Sequence, residues 1–592
     1  MLILIGLSVL VIYSNIYNNP FVFDDVSNIV ENETIRDLSN YLSPGNLLKP
    51  RAIVDLTFAL NYRFGKLNVF GYHLVNVLIH ILNGFLVFFL VSAILKQAEF
   101  SSSSAPLITD SLDFSIKTTS LFAALIFVVH PIQTQAVTYT VQRYASMAAM
   151  FYMASVLFYF KARSIQQGAK SKEQRAGSEE QRTDGGGQVE KEKNYKLKLS
   201  SIYTLSVFCG MLSFLSKQNT ASLPLTILLV EYLLIDRTWQ SWKKKLPWFV
   251  MFFVLWTFFI LYVSGLFNGG SGGRGMLEDV SGLMKETETV GRWQYLCTQF
   301  NVLVIYIRLL FLPVQQNLDY LYPFKSGFFD SYTPLAFLFL IGLAAVGTRQ
   351  IKKRPVISLA IFWFFITLSV ESSIIPIRDA LFEHRLYLPM FGFAFIVAFL
   401  LFNLLARQRF WAIVSSVVII ISFGATTYYR NSVWKNGLKL WSDVVSKSPY
   451  NYRAHNNLGA ALNKQNRIEE SIQHYLQALR IKPDYAEAHY NFGHALDNQD
   501  RTEEAIQHYL QALRIKPDYE KAHNNLGLAL DNQGRTEEAI RHYLQALQIK
   551  PDYEQVHNNL GNALNKQDRT KEAIQHYIQA LGIKPDFVDA HY

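Results

Sequence analysis

Eleven stretches of roughly 15 to 25 mostly apolar residues fill the first 430 positions of this chain, about the length a helix needs to cross 30 Å of hydrocarbon with its backbone satisfied internally. They fall near 2–17, 72–95, 118–132, 136–160, 200–216, 220–235, 247–265, 334–348, 356–376, 388–405 and 411–428. So many apolar runs read as a polytopic membrane helix bundle. From about residue 431 the composition turns polar, with Asn, Gln, His and Lys throughout. A chain of 592 residues exceeds one compact domain, and the division predicted is a membrane domain over 1–430 and a water-soluble domain over 431–592.

The net charge of +10 does not imply a nucleic-acid partner, because the basic residues sit in short segments between apolar runs. Such segments stay on the cytoplasmic side and so fix orientation. Residues 161–199 hold ten Lys and Arg among Gly, Gln and Glu, the composition of a disordered cytoplasmic loop. Lys243 to Lys245, Arg349 with Lys352 to Arg354, and Arg407 with Arg409 mark three more inside loops. All four lie inside only if the apolar helix near 293–312 lies along or re-enters the outer face, which Arg292, Arg308 and Pro313 would tolerate. Eleven crossings then put the N-terminus inside, with a first outer loop over 18–70 and the polar tail outside. The first run is short and has no basic residue ahead of it, so it reads as an anchor trimmed at its start; a cleaved signal peptide fits less well. Cys209 and Cys297 give no disulfide framework.

The tail repeats with a period of 34: HNNLGAAL at 455, HYNFGHAL at 489, HNNLGLAL at 523 and HNNLGNAL at 557, each unit closing on IKPD. That is the signature of tetratricopeptide (TPR) helical hairpins, so the whole chain is expected to be all-α, with a TPR α-solenoid after the bundle. The units are read as 452–485, 486–519, 520–553 and 554–587, with an extra helix upstream over 434–449. The chain stops inside a fifth unit, and the fourth hairpin is expected to lack a proper cap. Asn457, Asn491, Asn525 and Asn559 recur at one position of the first helix. An asparagine ladder there can bond the backbone of an extended peptide; equally, Asn is common in the repeat consensus.

Just past the first apolar run, FVFDD places Asp24 and Asp25 at the membrane surface. A carboxylate there can serve as general base for a hydroxyl acceptor, or help bind a metal or a leaving phosphate; a pair of solvated boundary acids is the plainer reading.

Four further segments, RAIVDLTFALNYRFGKLNVFGYHLVNVLIHILN at 51, ALIFVVHPIQTQAVTYTVQRYASMAA at 124, FLSKQN at 214 and FEHRLYLP at 382, together with the acidic pair and the tail, resemble the transmembrane-and-TPR-containing O-mannosyltransferase family and its bacterial relatives, over nearly the whole chain. The resemblance implies a GT-C glycosyltransferase with a polyprenyl-phosphate-linked sugar as donor and, for a bacterial relative, a place in the inner membrane. It makes Asp24 or Asp25 the catalytic base. It aligns Arg51, Asn61, His73, Asn76, His80 and His130 with supporting motifs, and it assigns the donor phosphate to Arg385, Lys217, Arg143, Glu383 and Tyr387. Ala52 stands where the family usually has proline, and Gln135 and Gln218 where it often has glutamate, so two carboxylates of the family pattern are replaced by amides. His384 adds a titratable group beside Arg385, read as a structural hydrogen-bonding residue.

The function expected is transfer of a sugar from a polyprenyl-phosphate donor to a hydroxyl of a protein or envelope glycan on the extracytoplasmic side, with the repeats holding the acceptor or a protein partner. No cofactor is fixed by the sequence, and a divalent metal is left open. The alternative is a non-catalytic, membrane-anchored TPR scaffold, although a scaffold needs one anchor and not eleven. A transporter is disfavoured, since the charged motifs lie in outer loops and no inverted repeat of broken helices is visible.

Overall fold

Proline opens several of the apolar helices, where its missing N–H is not needed: Leu223–Val230, Thr333–Gln350 and Pro355–Leu368 each carry one in the first turn. The computed structural model describes residues 1–102, 110–176, 185–263 and 290–586, which are helical with no strand among them. It divides into two compact units, Met1–Asn436 and Gly437–Tyr592, close to the boundary read from composition.

In the first unit eight helices are long and apolar enough to cross a membrane, and the pair 113–129 and 131–138, bent by 48° at His130–Pro131, makes a ninth. Three shorter apolar helices, Leu2–Ile12, Pro355–Leu368 and Met390–Leu404, join them. The runs expected at 2–17 and 356–376 are thus shorter in the structure. The second ends at Leu368 because Ser369, Glu371 and the serines that follow are polar and turn away from the helix. Residues 161–199, expected as a disordered loop, instead continue the flanking helices Arg143–Ala176 and Gly185–Ser216, leaving 177–184 outside the described residues. Lys, Gln, Ala and Glu are good helix formers, and a helix already anchored in the bundle propagates through them at little cost.

Length alone counts Arg292–Phe311 among the eight, yet its contacts stay at one end of the bundle. Tyr295 Oη donates to Glu371 O, Gln299 Nε2 to Ala380 O and Asn301 Nδ2 to Thr333 Oγ1. Near its other end, Tyr306 Oη donates to Phe382 O and Leu310 O meets His130 Nε2. A helix of 20 residues is about 30 Å long, so one that touches the same set of loops at both ends lies along that end of the bundle. Lys217, Arg385 and Glu371 meet among these loops, the loop end of the bundle, whereas Arg163 and Lys245 meet Glu231 and Asp236 at its basic end.

Close helix approach depends on small residues. A Cβ on Gly84 would stand 2.7 Å from Val128 and 2.8 Å from Ile5, so glycine there lets three helices meet.

The second unit is a row of hairpins, Tyr452–Asn463 with Ile468–Ile481, Ala486–Asp497 with Thr502–Ile515, Glu520–Asn532 with Thr536–Ile549, and Glu554–Asn565 with Thr570–Ile583, preceded by the expected extra helix at Gly437–Lys447. Within each hairpin the glycine of the first helix faces a tyrosine of the second; a Cβ on Gly527 would stand 2.7 Å from the Tyr543 ring. Four histidine pairs bridge the hairpins, His455–His474, His489–His508, His523–His542 and His557–His576, with Nδ1 atoms 3.0 to 3.1 Å apart. The first histidine of each pair also meets a proline carbonyl through Nε2 at 3.0 Å. The chain end expected to fray, 587–592, lies outside the described residues.

Candidate active site

The two expected catalytic carboxylates differ sharply in surroundings. Asp25 is buried, and its oxygens accept N–H bonds from Val22 at 3.1 Å and Val141 at 2.7 Å, tying the first loop to the 139–143 turn. Burial pushes its carboxyl up to about 8 against the pull of those N–H groups. Asp24 is half-buried, and its own N–H donates to Tyr139 Oη at 2.9 Å. Asp25 therefore organises the turn, and Asp24 is the more exposed of the two carboxylates.

Arg143 is expected at the donor phosphate, and the structure corrects this. The guanidinium is fully buried and donates to Asn76 Oδ1 at 2.7 Å, Thr57 Oγ1 at 2.9 Å, Asn61 Oδ1 at 2.8 Å and Tyr72 O at 2.9 Å. Its donors are spent on neutral acceptors, and Asn61 and Asn76 are its clamps. The other motif histidines also hold the bundle. His73 Nε2 meets Asn19 O, and His130 Nδ1 accepts from Ile132 N while its Nε2 meets Leu310 O. Tyr387, likewise expected at the phosphate, lies in the bundle interior instead: its Oη is 2.7 Å from His80 Nδ1 and accepts from Asn83 Nδ2 at 3.1 Å. His80 Nε2 faces the Val128 carbonyl, so that nitrogen carries the proton and Tyr387 Oη donates to Nδ1. Glu383, the third residue corrected, is buried where Asn317 N, Tyr320 Oη and Gln316 Nε2 converge on its carboxylate. It anchors the 316–320 segment.

What remains of the expected phosphate set is brought together. Lys217 Nζ donates to Glu371 Oε1 at 2.9 Å, and Arg385 Nε stands 3.9 Å from the same oxygen. Backbone carbonyls fix the guanidinium, with Nη1 to Ala380 O at 3.0 Å and Nη2 to Asp379 O at 2.8 Å. Burial raises the Glu371 carboxyl, but Lys217 and Arg385 outweigh it and hold the group below its usual range. Burial lowers the Lys217 ammonium, and the nearby Arg385 and Arg51 add to that. Two cations thus converge on one acid. Arg51 lies over the Tyr144 ring, whose hydroxyl donates to Asp55. His384 stacks on Phe382, and its N–H donates to Gln135 Oε1 at 2.7 Å. Burial, then Lys217 and Arg385, hold its ring well below the usual histidine range, so it is neutral. Gln135 thus serves this bond without a charge, and Gln218 is exposed.

Glu371 and Asp55 escape the sequence reading. The signal for Glu371 was present, since a carboxylate inside an apparent apolar span marks a functional site by default. In the tail, three of the ladder asparagines bond the preceding repeat: Asn491 Nδ2 donates to Asn456 Oδ1, Asn525 to Tyr490 Oη and Asn559 to Asn524 Oδ1, while Asn457 accepts from its neighbour Asn456.

The class defined by these features is a polytopic helical membrane protein with a buried charge cluster at its loop end, joined to a TPR solenoid. TPR repeat models match residues 459–500, 498–534 and 532–568, and a tetratricopeptide repeat model matches 554–587. The chain is 25% identical to the protein O-mannosyl-transferase Tmtc3 of Drosophila melanogaster, covering 80% of this chain and 54% of that protein. It is likewise 25% identical to the protein O-mannosyl-transferase F38B6.6 of Caenorhabditis elegans, covering 82% and 63%. These matches bear out the resemblance carried by the motifs: the chain is similar to the TPR-bearing protein O-mannosyl-transferases over most of its length. It spans about half to two-thirds of the length of those relatives. Solved structures similar to part of the chain include MamA, at 24% identity and a TM-score of 0.24 over 26% of this chain and 90% of that one. Another is YrrB, titled a TPR protein with an unusual peptide-binding site, at 16% identity and a TM-score of 0.24 over 32% and 95%.

Proposed function

We propose that this protein transfers a sugar from a polyprenyl-phosphate donor to a hydroxyl group on a protein or envelope glycan, on the extracytoplasmic side of the membrane. The observation that carries the reading is the convergence of Lys217 and Arg385 on Glu371 at the loop end of the bundle, the end that also holds the acidic pair. In this mechanism Asp24 accepts the proton of the acceptor hydroxyl, whose oxygen bonds to the anomeric carbon. The bond from that carbon to the phosphate breaks, and the electron pair leaves with the carrier phosphate. Lys217 and Arg385 stabilise the charge that develops there, the kind of preorganised contribution that dominates transfer reactions whose leaving group is already good. Lys217 and Arg385 are the groups assigned to the phosphate, and a divalent metal there is left open.

Lys- and Arg-rich loops favour the cytoplasmic side, and this supports an extracytoplasmic loop end. In a bacterial cell the bilayer is the inner membrane. The last apolar helix, Arg409–Asn431, ends at the loop end, where Asn431 Nδ2 donates to Ile12 O, and the repeats of the tail are the part assigned to hold an acceptor or partner. The test is incubation of purified protein in detergent with a polyprenyl-phosphate sugar. Enzyme-dependent release of the carrier phosphate is expected. If no such donor binds, the scaffold reading replaces this one.

A further inference from the structure

At the basic end, a cavity of about 510 Å³ opens between the helices Arg143–Ala176, Gly185–Ser216 and Trp239–Val263. That volume is in the range of ligand sites, roughly 300 to 1,000 Å³. Its lining changes character along its length. Toward the middle of the bundle it is apolar, with Val207, Leu223, Phe252 and Trp256; toward the end it is closed by Arg163 and Lys245. Arg163 grips Glu231 with two bonds, Nε to Oε2 at 2.9 Å and Nη2 to Oε1 at 2.6 Å. Lys245 Nζ donates to Glu231 Oε1 and Asp236 Oδ2, both at 2.8 Å. These bonds hold both cations at the mouth, with Arg163 Nη1 also turned to Gln166, and leave the Lys245 ammonium a third N–H. Lys243 and Lys244 precede Lys245 in the chain and are exposed, adding positive charge to this segment.

The cavity wall on one side is a helix that faces lipid, for only 11% of the apolar window of Trp239–Val263 is buried. An apolar space opening along such a helix is filled by hydrocarbon, because water there would find no polar partners. A ligand that fits both ends carries a phosphate on one and an acyl chain on the other. Basic pockets between helices on the cytoplasmic side are the recognised setting for anionic headgroups.

We infer that this cavity is a binding site for one anionic phospholipid of the leaflet at the basic end, its phosphate on Lys245 and Arg163 and an acyl chain along Phe252 and Trp256. The inference rests on the membrane placement of the helices and is independent of the transferase reading. Full-length protein purified in detergent is mixed with phosphatidylglycerol or with phosphatidylcholine of the same acyl chains, and retained lipid is counted by native mass spectrometry. One retained phosphatidylglycerol, preferred over phosphatidylcholine, is expected. Lys245→Gln weakens it about fivefold, the worth of one cation at an anionic lipid surface, about 1 kcal/mol. Val207→Trp, at a position on the cavity wall that is 48% exposed, fills the chain site without touching the ion pairs and abolishes retention. Equal binding of the neutral lipid, or wild-type retention by both variants, overturns the proposal. So does displacement of the phospholipid by polyprenyl phosphate, which would give the cavity to a donor chain entering from the other end.

Discussion

Glu371→Gln separates a structural charge cluster from a phosphate site. The substitution keeps the shape of the side chain and removes the one negative charge facing Lys217 Nζ at 2.9 Å and Arg385 Nε at 3.9 Å. With an effective dielectric constant of about 20 those attractions are worth about 6 and about 4 kcal/mol before desolvation is counted. The side chains of Lys217, Arg385 and Glu371 are only 16, 4 and 9% exposed, so solvent screens them little. Removing one partner of a buried pair costs about 3 to 5 kcal/mol, because a charge is left unpaired, and that is the loss expected for the unliganded variant. If the cations exist to receive a phosphate, an anion can take the place of the lost carboxylate. Polyprenyl phosphate at about 100 times its Kd adds about 2.7 kcal/mol to whichever form binds it, and its effect is expected to be larger in the variant, where no carboxylate competes. The assay is thermal unfolding in detergent, followed by tryptophan fluorescence, with and without the lipid phosphate. A variant that loses stability and regains none with the anion would make the cluster purely structural; a variant as stable as wild type would refute the burial argument itself.

Asp24→Asn is expected to abolish transfer with folding intact, whereas Asp25→Asn lowers the unfolding temperature by disturbing the Val22 and Val141 bonds; turnover assays beside melting curves distinguish the two. The Asp25 carboxyl is raised from 3.8 to about 8, so the folded form binds the extra proton and stability from this group falls as pH rises from about 4 through about 8. Asp25→Asn should flatten that slope in melts taken across the window. Arg385→Ala is expected to weaken donor binding by about 1.5 to 3 kcal/mol, one charge-assisted hydrogen bond, read as a roughly 10- to 150-fold rise in Kd in a lipid-phosphate titration. In the tail, burial lowers the second histidine of each pair, His508 to about 4. Stability from these groups is therefore present above the ordinary value of 6.5 and lost as pH falls below it. Circular-dichroism melts of a fragment starting at residue 437 should show lower melting temperatures at pH 5 than at pH 7, and the reverse order would refute the pairing.

The sequence by itself determined the division into an apolar bundle and a polar solenoid, since both follow from periodicity: helix-length apolar runs in one part and a 34-residue repeat in the other. It also marked residues that matter at the loop end, because charged or amide side chains beside apolar runs are costly unless they are paired. Only the tertiary structure decided what those residues do. Arg143, Glu383 and Arg385 look alike in sequence as charges at the rim of a membrane bundle, yet the first is enclosed by Asn61, Asn76, Thr57 and Tyr72, the second anchors a loop, and the third alone shares an acid with Lys217. Glu371 lies 154 residues from Lys217 along the chain. The physical reason is range: backbone hydrogen bonding and hydrophobic periodicity act over one or two turns and are written locally, whereas the partner of a buried charge is chosen by which helix ends the packing brings together.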